Sequence, residues 1–162
     1  MSQTATIPNP IARKPVELRE SFFFLSRAFY AYVVTLEKVL EEHDLQDVVR
    51  PGMGTVFYAL WEGDDVTMTV LAERTELAPS SLTRTIRQME KAGLVTRRKC
   101  QVDGRAVRIQ LTELGISLKP KGDLVVSRLR GIIEDGLAPQ EIEALKSGLT
   151  KMIENMNAHE LQ

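Results

Sequence analysis

The sequence predicts a mainly α-helical fold with one small β-hairpin. Two observations come from the ends of the 162-residue chain, where long segments near both termini place apolar residues at helical spacing. A third comes from residues 67–111, where two short helical patterns, separated by a turn, are followed at once by a basic hairpin pattern. That order is typical of a helix-turn-helix with a wing. We therefore predict a winged helix-turn-helix inside a helical dimerisation framework.

The first long helix is predicted between Leu18 and Leu40, where apolar residues recur every three or four positions. The preceding residues 1–16 are polar, contain three prolines and show no periodicity, so we expect a flexible arm. A second set of apolar residues, including Phe23 and Tyr30, lies beside the main stripe. A helix that is apolar on two sides must be covered on both, and a second subunit can provide one cover.

The breakers Pro51, Gly52 and Gly54 precede a short helix predicted at residues 55–61. Thr67 can cap the next helix. The second helix of the motif is predicted to begin at Pro79, because proline is favoured in the first turn, and to run to about residue 92, where glycine follows.

The two sides of this second helix differ in chemistry. At 100° per residue, two other apolar side chains lie within about 40° of Leu82. The apolar side therefore consists of Leu82, Ile86 and Met89. Four polar side chains lie opposite, at roughly 140–200°. They are Ser80, Arg84, Arg87 and Lys91, and Thr83 and Gln88 flank them. One side is thus expected to anchor the helix and the other to offer hydroxyls and cations.

A hairpin and further helices complete the prediction. Residues 94–100 are a candidate strand, and Val107, Ile109 and Leu111 alternate with polar residues, which predicts a partner strand with one buried face. Asp103-Gly104 is a strong hairpin signal. Another helix should start at residue 112 and be kinked or divided at residue 120, where a proline stands. A last helix should begin at residue 139, and we expect its methionines to lie in the core.

The composition narrows the class of protein. Hydrophobic residues make up 43% and charged residues 27%, which suits a soluble domain. No apolar run reaches the ~18 residues of a transmembrane helix, and the first residues lack the apolar core of a secretory signal. The single cysteine, Cys100, excludes an internal disulfide, and the two histidines lie far apart. We expect a cytoplasmic protein with no metal, no cofactor and no membrane partner.

The net charge of −1 conceals a basic segment. From Arg84 to Arg108 there are eight basic and two acidic residues, a net charge of +6, so the rest of the chain carries −7. A basic patch on an acidic body suits a localised polyanion, although a charge run taken alone is more often a solvated face. Its coincidence with the predicted helix and hairpin favours the polyanion.

Residues 67–115 resemble the MarR family of bacterial winged-helix regulators. The resemblance extends in helix order over roughly residues 18–158, but its specific motif lies in this segment. Its matching positions are Leu71, Ala72, Ser80, Ser81, Glu90, Gly93, Leu94, Val95, Arg97, Arg98, Asp103, Arg105, Leu111, Thr112 and Gly115. Two positions depart from the pattern: Ala78 stands where many relatives have serine or aspartate, and Val70 where many have glutamate.

The resemblance implies a homodimer that binds a roughly palindromic operator in double-stranded DNA, usually as a repressor. It divides the chain into an arm (1–16), a helical dimerisation region (17–46 and 112–162) and a DNA-binding region (47–111). The residues expected to face the major groove are Ser80, Ser81, Thr83, Arg84 and Arg87. Those expected near phosphates are Lys91, Arg97, Arg98 and Lys99. Arg105 is expected to enter the minor groove, and Asp103 to hold an arginine in place.

Family members can also be released from DNA by a small ligand, often phenolic or aromatic. The candidate ligand-binding residues here are Arg27, Phe29, Tyr30, Arg50, Phe57, Tyr58 and Trp61. The alternative for the aromatic residues is ordinary core packing, and for the arginines a surface salt bridge.

The sequence also bears on three functions other than plain DNA binding. Cys100 follows two cations, which favours a reactive thiolate, but peroxide-sensing members of the family keep their cysteine near the first long helix, where this chain has none. A winged helix that contacts protein instead of DNA is the main alternative. An enzyme is not expected, because the sequence offers no nucleophile motif, phosphate-binding loop or metal spacing.

Overall fold

The computed structural model describes residues 20–99 and 106–159, and the predicted mainly α-helical fold is confirmed there. The helices are α1 (Ser21–Glu42), α2 (Met53–Glu62), α3 (Met68–Thr75), α4 (Pro79–Lys91), α5 (Glu113–Ser117), α6 (Lys119–Ile133) and α7 (Pro139–Ala158). The strands are β1 (Val66–Thr67), β2 (Val95–Lys99) and β3 (Val107–Leu111). The arm predicted for residues 1–16 lies outside the described residues. Within them, no helix is long and apolar enough to cross a membrane.

The chain forms two compact units that divide inside α1, between Val34 and Thr35. In the first unit, the described residues are those of α1 up to Val34, and large apolar side chains are exposed along them. Phe22 is 60% exposed and Tyr30 71%. Tyr30 belongs to the second apolar set predicted for this helix and is in solvent within a single chain, whereas Phe23 of that set is partly buried.

The main core of the second unit lies where α2, α3 and α4 pack with the strands. Its fully buried side chains include Val56, Leu71, Ile86 and Ile109. All three apolar residues predicted on the inner side of α4 belong to this core, which confirms the face predicted from the sequence. A second, smaller cluster joins the end of α1 to α6. Its members are Leu36, Val39, Leu40, Leu45, Val125 and Leu129.

Local signals position most helix ends. Gly52 adopts a φ of 93°, a left-handed conformation that glycine tolerates, and α2 begins directly after it, two residues before the predicted start. Thr67 and Thr112 cap α3 and α5, with each hydroxyl accepting a hydrogen bond from a backbone N–H three residues on. The predicted division at Pro120 is also found, since α5 ends before it and α6 begins at Lys119.

The sheet contains a strand that the sequence did not predict. The order is β1-β3-β2, with antiparallel pairing throughout. Val66 of β1 pairs with Ile109, and Val95 of β2 pairs with Leu111. The buried face predicted for β3 holds at Ile109 and Leu111 but is wrong at Val107, which is 36% exposed. Val107 pairs with exposed Lys99 at the end of the ladder, so it lies beyond the core.

The last helix has no buried residue. Met152 is only partly buried and Met156 is 57% exposed, so the expectation that these methionines lie in the core is wrong within the single chain. The exposed apolar side chains of α7 are Leu145, Ile153 and Met156. α7 thus leaves an apolar surface in solvent.

Candidate nucleic-acid interface

Helix α4 is held by its inner face and presents its outer face to solvent. Leu82, Ile86 and Met89 are at most 1% exposed. Ser80, Ser81, Arg84, Arg87 and Lys91 are all exposed, and Thr83 is partly buried. The four polar residues predicted to lie opposite the buried face are therefore on the solvent side, as the sequence predicted.

The outer face of α4 forms a shallow groove of about 600 Å³. Its lining residues are Pro79, Ser80, Thr83, Arg84, Arg87, Gln88 and Lys91. Five of the predicted DNA-binding residues are thus brought together along one surface. Ser81 is exposed but outside the lining, and Gln88 lines the groove although it was not among the predicted site residues. Its flanking position on the helix is the signal that could have found it.

The start of α4 has no side-chain cap, as expected for Ala78. In the first turn, the Thr83 hydroxyl donates to the backbone carbonyl of Pro79 at 2.7 Å. That bond orients Thr83 Oγ1 and leaves its lone pairs as acceptors. The other end of the helix is fixed by Gly93, with a φ of 71°, and by the Leu94 N–H, which donates to the Met89 carbonyl at 2.9 Å.

The arginines of the wing strands have acidic partners. Arg97 is partly buried, and its Nε lies 3.1 Å from Oε2 of Glu90. Arg98 and Arg108 both bind the carboxylate of Asp65, with Nε to Oδ1 distances of 3.2 and 2.9 Å. Arg108 Nη2 also donates to the backbone carbonyl of Asp65. The guanidinium of Arg108 and then that of Arg98 hold the pKa of Asp65 below its ordinary value.

Asp65 was not predicted as a site residue. It follows Gly63 and Asp64 in the connection between α2 and β1. Glycine and aspartate at that position indicate only that a helix has ended. Its partners lie 33 and 43 positions further along the chain. Only the register of the sheet brings them together, so no local pattern reveals this contact.

The basic segment therefore has two electrostatic parts. Among the described residues, Arg84, Arg87, Lys91 and Lys99 form no ion pair, whereas Arg97, Arg98 and Arg108 share their charge with carboxylates. Unbalanced positive charge is concentrated on α4 and at the end of β2. Cys100, Asp103 and Arg105 lie outside the described residues.

Comparison with known proteins agrees with this geometry. The model of the MarR family matches residues 55–107, which run from α2 to the first residue of β3. The organic hydroperoxide resistance transcriptional regulator of Bacillus subtilis (strain 168) is 32% identical over 98 residues, or 60% of this chain. The matched segment thus resembles a MarR-family domain. The aligned part spans 65% of the Bacillus protein, slightly under two thirds of its length.

Solved structures show that the likeness in fold extends beyond the matched segment. The organohalide-sensing regulator RdhR-CbdbA1625, in its 2,4-dichlorophenol-bound form, has a TM-score of 0.73 at 20% identity, over 96% of this chain and 89% of that one. BpsR of Bordetella bronchiseptica, studied for the regulation of its DNA binding by 6-hydroxynicotinic acid, has a TM-score of 0.70 at 18% identity, over 86% of this chain and 99% of that one. At these identities the likeness concerns the fold.

The aromatic candidate ligand residues of the second unit have partners inside the chain. Phe57 is 2% exposed and stacks on Trp61, with ring centroids 4.9 Å apart. Trp61 Nε1 donates to the Gly115 carbonyl at 3.1 Å. Tyr58 Oη lies 3.3 Å from the Asp123 carboxylate, and burial, followed by that carboxylate, raises the pKa of Tyr58.

The remaining candidate ligand residues are two arginines and two exposed aromatics. Arg50 Nη1 donates to the Gln46 carbonyl at 2.6 Å. In the first unit, the Arg27 guanidinium lies 5.8 Å from the Phe23 ring centroid, and Phe29 and Tyr30 meet edge to face at 6.0 Å. Among the described residues, no group of three His, Cys, Asp or Glu is placed to hold a metal.

Proposed function

We propose that this protein is a homodimeric, sequence-specific DNA-binding transcriptional regulator. The observation that carries the proposal is the outer groove of α4, where hydroxyls stand beside cations that have no acidic partner among the described residues. An α-helix fits the major groove of B-DNA, and arginine can pair bidentately with guanine there. The Bacillus relative is itself named a transcriptional regulator.

The contacts divide by chemistry. Ser80, Ser81, Thr83, Arg84 and Arg87 are proposed to read base edges. Lys91 and Lys99 are proposed to meet phosphates, which position a protein without specifying sequence. Arg97 and Arg98 are proposed to make weaker phosphate contacts, because Glu90 and Asp65 partly neutralise their charges. Arg105 in the minor groove, with Asp103 holding an arginine, remains a prediction from the sequence.

The homodimer is supported by apolar surface that a single chain leaves in water. In the first unit, Phe22, Phe24 and Phe29 are each about 60% exposed. In the second, α7 buries none of its side chains. Because exposed apolar area of this kind marks association surfaces, we expect a dimer by sedimentation equilibrium. A monomer at micromolar concentration would contradict this part of the proposal.

A small aromatic ligand is proposed to lower the affinity for DNA, so that the regulator acts as a repressor released by its signal. Support comes from BpsR and from RdhR-CbdbA1625, whose structures concern 6-hydroxynicotinic acid and 2,4-dichlorophenol. Both molecules are aromatic rings with an ionisable oxygen. Within the second unit, Arg50 is proposed to bind that oxygen, with Tyr58 or Trp61 against the ring. Within the first unit, Arg27 and Tyr30 are the corresponding candidates. Titration of the protein–DNA complex with substituted phenols and benzoates tests this.

The decisive experiment is selection of bound duplexes from a random DNA pool by the full-length protein. We expect an inverted repeat with half-sites about one helical turn apart, because a two-fold dimer presents two copies of α4. Affinity for the selected duplex should fall steeply with salt, since each neutralised phosphate adds ~0.9 to the slope of log affinity against log salt. Failure to enrich any sequence, with a slope near zero, would refute DNA binding and favour a protein-interaction module.

A further inference from the structure

Two arginines face each other across the wing strands. Arg98 of β2 and Arg108 of β3 are direct partners in the antiparallel register. Arg108 is also the partner of Thr67 on the other side, so it lies in the central strand of the sheet. Like charges placed directly opposite one another destabilise strand pairing. This pair therefore needs an anion, or separation of its two side chains.

Asp65 provides the anion. Its carboxylate accepts hydrogen bonds from both guanidinium groups, and its backbone carbonyl accepts a further one from Arg108. The residue adopts a φ of 54°, a left-handed conformation that is uncommon outside glycine. The next two residues form β1, and α3 follows immediately. One side chain thus links the start of the helix-turn-helix to both strands of the wing.

The neighbouring residue Asp64 also attaches the connection before β1 to strand β3. The Asp64 carboxylate accepts a hydrogen bond from the backbone N–H of Leu111, at the far end of β3. Two successive aspartates therefore hold β3, one through its backbone and one through a side chain. Only Asp65 reaches β2 as well, because Arg98 extends toward it from that strand.

We propose that Asp65 is a positioning residue for DNA recognition, which fixes the wing strands relative to the helix-turn-helix by binding Arg98 and Arg108 together. This inference rests on the proposed DNA-binding function. It assigns to an acidic residue, which by charge alone repels DNA, a role that favours specific binding.

The two effects of Asp65 have opposite signs, which makes them separable. Removal of its charge makes each chain more positive by one unit, so electrostatics alone should strengthen binding to every duplex. Loss of positioning should weaken binding only where the wing and α4 must fit a particular sequence. The ratio of affinities for a specific and a scrambled duplex therefore reports positioning, whereas a uniform change reports charge.

The test uses full-length Asp65→Asn with two duplexes, one selected from a random pool and one scrambled version of equal composition. We expect affinity for the selected duplex to fall at least about fivefold, since three hydrogen bonds to a partly exposed carboxylate lose their charge assistance. Affinity for the scrambled duplex should stay constant or rise. Asp135→Asn is the matched control, because Asp135 is exposed in the connection between α6 and α7 and loses the same charge.

Two further variants separate positioning from folding. Asp65→Glu keeps the charge and should restore part of the discrimination even if Asp65→Asn folds poorly. In an Arg98→Gln background, Asp65→Asn should reduce affinity for the selected duplex by a smaller factor than in the wild type. One of the two arginines that Asp65 binds is already absent there. Equal strengthening on both duplexes, or no rescue by Asp65→Glu, would overturn the positioning role. A wild-type protein that does not distinguish the duplexes would overturn the proposed function and this inference together.

Discussion

Replacement of Arg84 by glutamine tests the proposed base contact most directly. Arg84 lies midway along α4, in the groove, and it is exposed without an ion pair among the described residues. The substitution therefore removes no described salt bridge, and glutamine is a good helix former. We expect the fold and the dimer to persist while DNA binding changes.

The expected loss follows from the number of contacts. One bidentate arginine–guanine pair is worth about 1–3 kcal/mol of discrimination. A homodimer carries two copies of Arg84, so the selected duplex should lose about 2–6 kcal/mol, or roughly 30-fold to 10⁴-fold in affinity. If Arg84 instead met a phosphate, all duplexes would weaken alike and the salt slope would fall by about 1.8 for the dimer.

Fluorescence anisotropy with the selected duplex, and with duplexes changed at one base pair of each half-site, separates these cases. Arg130→Gln is the matched control, because Arg130 is an exposed arginine on α6, outside the groove. A base contact predicts that Arg84→Gln no longer distinguishes bases at one position of the half-site. If Arg84→Gln and Arg130→Gln bound every duplex equally well, the assignment of α4 as the reading helix would be refuted.

Four further predictions concern folding, pH and redox chemistry. Gly115→Ala should lower stability by about 2–3 kcal/mol in urea unfolding, because its Cβ would lie 2.3 Å from the Leu94 carbonyl oxygen; a change near zero would show that the backbone gives way easily. Thr112→Ala should cost about 1 kcal/mol through loss of the α5 cap, and an unchanged unfolding midpoint would contradict the capping role. Its arginine partners lower the pKa of Asp65, so the stabilisation that the ionised carboxylate provides should be complete above about pH 4 and lost as the pH falls through the lowered pKa. The melting temperatures of the wild type and of Asp65→Asn should therefore differ by a constant amount from pH 5 to 8 and converge in acid. Mild peroxide should leave DNA binding unchanged; loss of binding in wild type but not in Cys100→Ser would establish a redox role.

Much of helix α4 could be predicted because its determinants are local. The inner and outer faces of α4 follow from residue spacing, its start from Pro79 and its end from Gly93. The caps at Thr67 and Thr112 each act over three residues. Such features depend only on neighbours in sequence, so inspection of the chain suffices.

The features that could not be predicted depend on tertiary register. Strand β1 has two residues, too few to display an alternating pattern. The alternation in β3 correctly predicted which side of the strand faces the core. It could not show that the core ends before Val107, which is exposed. The expected burial of the α7 methionines was wrong for a similar reason. Helical spacing of apolar residues predicts a face to be covered without saying that the same chain covers it.

Net charge along the sequence is equally incomplete as a description of the interface. The +6 of the basic segment counts every cation alike. In the folded chain, Glu90 from within the segment and Asp65 from outside it reduce the effective charge of the wing strands. A polyanion that approaches this face therefore meets its strongest unbalanced field along α4, where the groups able to read base edges also lie.

The burial of α4 explains why this field can serve recognition as well as attraction. Ile86 and Met89 are 0% exposed, so a rotation of the helix by one residue would carry apolar side chains into water and drive charged ones into the core. The bonds at its end, from Leu94 to Met89 and from Thr112 to Leu94, join the same helix to the wing strands. Because the core fixes the rotation of α4 and the sheet fixes the strands beside it, Arg84 and Arg87 are presented at a defined angle. Sequence discrimination requires that geometry, whereas salt-dependent attraction does not.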